Sequence, residues 1–159
     1  MKKNLCTICK SVCSNDNTLC DNCYKDIQIN VNALVGNIKE TEDKIDKEYK
    51  EFDRYISNFS KLLKLYEKLY HYASIIPNQI DIDPPTFEEY KEIVNQSIEN
   101  IVNHRTDVYF FQLKKFGDAS CLVELELFRE ELIRTAKCFP MFEKVLSTNR
   151  IDNILENYK

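Results

Sequence analysis

Residues 5–24 read LCTICKSVCSNDNTLCDNCY and hold five of the chain's seven cysteines. Four of them form two C-x-x-C pairs, Cys6/Cys9 and Cys20/Cys23, with ten residues between the pairs. A two-residue spacer lets both thiolates of a pair reach one ion, and two pairs complete a tetrahedron with no open position. That is the pattern of a structural metal site, which folds a segment too small for its own core. The cofactor it predicts is one structural zinc ion; an iron–sulfur cluster or rubredoxin-like iron is the alternative for the same ligands. Cys13 is left out of the set because structural zinc takes four ligands, and it reads as a small buried side chain.

Between the pairs, Ser11-Val12-Cys13 and Thr18-Leu19-Cys20 flank the turn-rich Ser14-Asn15-Asp16-Asn17, which predicts a short hairpin. Asp21 and Asn22 offer N-cap chemistry, so the second pair is expected on the first turn of a helix. This layout of knuckle, hairpin and second knuckle resembles the treble-clef and zinc-ribbon class of zinc fingers over about residues 5–30. The resemblance implies a metal-bound fold and leaves the partner undefined. A RING or B-box module would need ligands for two ions, and too few are present.

Downstream, apolar positions keep one heptad phase from Tyr24 through Val31, Val35 and Ile38, then Ile45, Tyr49, Phe52, Ile56, Phe59, Leu63, Tyr66, Tyr70 and Ala73. The phase predicts a long helix over about residues 26–76, with Gly36 or the polar stretch to Glu42 as the expected place of any bend. Such a seam could also serve a homo-oligomer. Leu62, Leu65 and Leu69 widen the stripe beyond a two-stranded seam and favour packing against later helices.

Pro77 stops the helix, residues 77–86 form a loop, and Thr86-Phe87-Glu88-Glu89 has the form of a capping box. Helices are predicted at about 87–116, 119–138, 140–147 and 151–158, with Gly117 ending the first and Asp118 capping the second. The dense Val108-Tyr109-Phe110-Phe111 run is expected to be buried on several sides. The fold class is therefore mainly α: a four-cysteine module at residues 1–25 and a helical body of four to five helices at 26–159. Two glycines, four prolines and no tryptophan in 159 residues agree with few turns and long helices.

Net charge is −4, divided into +2 over residues 1–25, −1 over 26–76 and −5 over 77–159. No half of the chain carries a broad basic footprint, which weakens a duplex-binding reading. Lys2, Lys3, Lys10 and Lys25 around the cysteines are the candidate contacts to nucleic acid or another partner. Lys47, Lys50, Arg54, Lys61, Lys64 and Lys68 form a basic stripe, but interleaved Asp46, Glu51, Asp53 and Glu67 mark it as a solvated helix face.

The N-terminus has no apolar signal core and no run is long enough to span a membrane, so a cytoplasmic, reducing location is expected. His71 and His104 are expected in partly buried hydrogen-bonding roles, and Cys121 and Cys138 in the core. No phosphate loop, G-x-S-x-G or H-E-x-x-H motif occurs, so no enzyme is predicted. The expectation is a zinc-containing regulator, inhibitor or adaptor that binds a protein partner, with a nucleic-acid-binding regulator as the alternative. Abundant Asn, Ile, Lys and Tyr would suit a phage, viral or mobile-element origin.

Overall fold

The computed structural model describes residues 5–13, 19–48, 50–76 and 80–158. Five helices make up the described chain: α1 (Asp21–Lys47), α2 (Phe52–Ile75), α3 (Phe87–Phe116), α4 (Ser120–Cys138) and α5 (Asn149–Asn157). A single 3-10 turn, Pro140–Phe142, lies where a helix over 140–147 was predicted.

The long helix is broken, and not at Gly36. Helix α1 runs unbroken through that glycine and ends at Lys47, with Glu48 as its C-cap. The N–H of Glu51 bonds Glu48 O at 3.0 Å, the chain reverses, and α2 returns antiparallel. Asn58 Nδ2 donates to Glu48 Oε2 at 3.1 Å and Tyr66 Oη to Glu42 Oε1 at 3.2 Å, so the hairpin is tied at successive levels. Its end brings Ile76 to Ile27 beside the cysteines. One heptad phase describes both arms because Ile38 and Ile45 of α1, and Phe52, Ile56 and Phe59 of α2, join one buried cluster. A straight helix would leave that stripe in water, and burying each large apolar side chain is worth about 1.5–3 kcal/mol, far more than the few helical hydrogen bonds lost at the turn. The seam that a homo-oligomer could have used is thus taken up within the chain.

Thr86 Oγ1 caps α3 by accepting from Glu89 N at 3.2 Å, as the capping box requires. Gly117 ends α3 at φ 61°, a left-handed conformation that costs glycine nothing, and its N–H returns to Leu113 O at 3.0 Å. Asp118 Oδ1 then accepts from Ser120 N at 3.0 Å at the start of α4.

Helix α2 lies against both α3 and α4. Tyr66 stacks on Tyr90 at 4.0 Å and Phe52 meets Phe128 edge-on at 5.5 Å. Buried threonines allow close helix approach because their hydroxyls turn back on their own helices: Thr41 to Asn37 O, Thr106 to Val102 O and Thr135 to Glu131 O. Helix α5 packs on α4, where Arg129 pairs with Asp152, and Arg150 reaches Asp107 of α3.

The Val108–Phe111 run is less buried than predicted. Tyr109 and Phe110 are half-buried, but Val108 and Phe111 are exposed, because they lie on the side of α3 away from its buried Thr106 and Leu113. No described helix is long and apolar enough to cross a membrane.

Candidate metal centre

The first cysteine pair sits in a tight turn. Cys6 N donates to Ser11 O at 2.7 Å, Lys10 N donates to Cys6 O at 3.0 Å, and Leu5 and Val12 form an isolated antiparallel bridge. Closing it places Lys10 at φ 64°, a conformation that costs a side-chain-bearing residue about 1–2 kcal/mol. The second pair opens α1. Cys20 is its N-cap and its sulfur accepts from Cys23 N at 3.4 Å, so a thiolate there satisfies a free backbone donor and faces the positive end of the helix. The hairpin predicted around residues 14–17 lies outside the described residues; the pairing observed is Leu5 with Val12.

The sulfurs of Cys6, Cys9, Cys20 and Cys23 all lie within 4.8 Å of one another, and Cys9 Sγ is 3.5 Å from Cys20 Sγ. Four thiolates at about 2.3 Å from one ion would be separated by about 3.8 Å, so the cluster fits a single tetrahedral metal. Its proton affinities fit too. Backbone N–H groups of Cys20 and then Cys9 hold the Cys6 thiol down to about 6. The Ser11 hydroxyl, 3.2 Å away, lowers Cys9. Cys23 is pushed up, first because its thiol hydrogen-bonds the Cys20 sulfur and then that of Cys9. Some protons leave readily and others are held by sulfur crowding, and a divalent cation can take the place of the retained ones.

Cys6 is fully buried and, with Cys13, Leu19, Ile27 and Ile76, forms a second small core. Both arms of the α1–α2 hairpin enter it, so the cysteine segment is packed on the body. Cys13 points to Ser11 O at 3.9 Å and is not one of the four clustered sulfurs; burial raises its pKa. The opposite side of the cluster is open. Cys9 is exposed, and with Cys20 and Cys23 it lines a depression of about 600 Å³ that also includes Ser11 and Val12.

Lys10 and Lys25 are exposed on this segment, and Lys10 Nζ donates to Thr7 O at 3.3 Å. Lys2 and Lys3 lie outside the described residues. The six cations of the α1–α2 stripe are exposed, with Arg54 paired to Glu51 at 2.9 Å. His71 and His104 are exposed, contrary to their predicted half-buried roles; His104, two residues from each of buried Val102 and Thr106, falls on the opposite face of α3. Cys121 is buried as predicted and bonds Gln112 Oε1 at 3.4 Å, whereas Cys138 is exposed at the end of α4.

Two features were missed. Ser11 supports Cys9, and only the turn geometry reveals it. Leu5, Ile8 and Val12 are 55%, 49% and 56% exposed, and their alternation with cysteine in the sequence was the available signal.

No protein-family model matches the chain, and no curated protein or solved structure is significantly similar to it.

Proposed function

We propose that the chain is a non-enzymatic, zinc-containing interaction protein: a regulator, inhibitor or adaptor that binds a protein partner. The observation that carries this reading is the four-thiol cluster seated on the α1–α2 hairpin through a shared small core. Four soft thiolates in tetrahedral reach suit zinc by ligand type and geometry, with iron as the alternative, and a set closed by protein ligands holds structure together. A reducing, intracellular setting keeps such thiols available.

Support for a protein partner comes from the outer side of the same segment. Leu5 and Val12 oppose each other across an antiparallel bridge, which puts their side chains on one side, and both are more than half exposed. Apolar side chains grouped this openly on a small module suit a protein interface.

The test has two parts. Elemental analysis of the purified full chain should give one zinc per chain; a metal-free and equally stable protein refutes the reading. Affinity capture with the chain and with a Leu5→Ser/Val12→Ser variant that keeps its zinc should return one reproducible protein partner with the former only. The second reading, nucleic-acid binding through Lys2, Lys3, Lys10 and Lys25, is favoured by exposed Lys10 and Lys25 beside the cluster. It requires binding that weakens steeply with salt.

A further inference from the structure

The four thiols are unequally protected. Cys6 is sealed in the small core, while Cys9 faces solvent at the rim of the open depression. One sulfur contact bridges the two turns, Cys9 to Cys20 at 3.5 Å, and both residues line the open depression. A disulfide needs about 2.05 Å, so this pair has to close by only about 1.5 Å. Ser11 Oγ lies 3.2 Å from Cys9 Sγ, and Cys20 is positioned by the N–H of Cys23.

From this geometry we propose that Cys9 is an oxidation site for small hydroperoxides, with Cys20 as its resolving thiol, and that forming the Cys9–Cys20 disulfide expels the metal. In the first step the Cys9 thiolate attacks one peroxide oxygen; the O–O bond breaks and leaves Cys9 sulfenic acid and hydroxide. In the second, the Cys20 thiolate attacks the sulfenic sulfur, the S–S bond forms and a second hydroxide leaves. Two thiolates have lost two electrons and the peroxide has gained them. The metal, left with Cys6 and Cys23 alone, dissociates as the divalent ion. Because the new bond joins the two turns, the oxidised segment stays closed covalently where the metal had closed it.

The metal-release part rests on the zinc reading above, and the disulfide pairing does not, so the experiment separates them. Zinc-loaded full chain is treated with one equivalent of hydrogen peroxide. Zinc release is followed with a chromogenic chelator, and disulfides are mapped by non-reducing peptide mass spectrometry. The expected result is loss of one zinc per chain with a Cys9–Cys20 bond, both reversed by dithiothreitol and added zinc. A Cys13→Ser variant should behave identically. Retained zinc under peroxide, a bond within either C-x-x-C pair, or a bond to Cys13 overturns the proposal. If the chain binds no zinc, the zinc reading fails alone, and mapping on the metal-free chain still decides the pairing.

Discussion

Gly36 is the only glycine inside a helix, and nothing lies within 4 Å of the position a Cβ would take there. A glycine in a helix interior costs about 0.5–1 kcal/mol relative to alanine, through the freedom it has in the unfolded chain. Gly36→Ala should therefore stabilise the protein by about that amount, read as a higher urea midpoint at unchanged slope. Glu131 is a second residue with a defined sign. Burial raises its pKa against the opposing pull of Arg105, whose guanidinium sits 4.0 Å away and over the rings of Phe128 and Phe52. With its folded value above the unfolded one of about 4.3, the native state binds more protons between those values, so this group's contribution to stability falls as pH rises. Glu131→Gln should be more stable than the native chain at neutral pH, with the difference vanishing below about pH 4. Thermal melts across a pH series check it, and a Gln variant weaker at neutral pH would show the Arg105 pair to outweigh desolvation.

Among the elements, α3 was legible to the residue: a capping threonine and a left-handed glycine are local chemistry, and local chemistry is written in adjacent residues. The α1–α2 turn was not. Lys47–Glu51 contains neither glycine nor proline, and a periodic stripe has the same phase whether the next arm continues or folds back. What breaks the helix is the availability of Phe52, Ile56 and Phe59 as a cover for Ile38 and Ile45, a contact between arms. The short helix expected at 140–147 gives way to one 3-10 turn for a similar reason, since Phe142 and Leu146 are drawn into the core beside α4 and α5. Leu132, wholly buried on α4, tests this packing: Leu132→Ala should cost about 2–5 kcal/mol in chemical denaturation, while exposed Leu127→Ala changes little.

At the scale of the whole molecule, two buried clusters divide the work. The large one spans all five helices, and the small one joins Cys6, Cys13, Leu19 and Ile27 to the end of α2. In the zinc-loaded chain proposed above, stripping the metal with a chelator should release amide protection in residues 5–13 and the first turns of α1, while α3 and α4 stay protected in hydrogen exchange. Uniform loss of protection would mean the two clusters unfold as one.

The sequence by itself determined which four cysteines could share one ion, the helical class, the caps of α3 and the set of residues on each apolar stripe, because spacing and residue type suffice for those. Only the tertiary structure decided that the long stripe closes on itself, that Cys6 is sealed while Cys9 is open, and that Leu5 and Val12 share an exposed side. These depend on which distant segment covers a given face, and burial is a property of the neighbours a residue acquires, not of the residue.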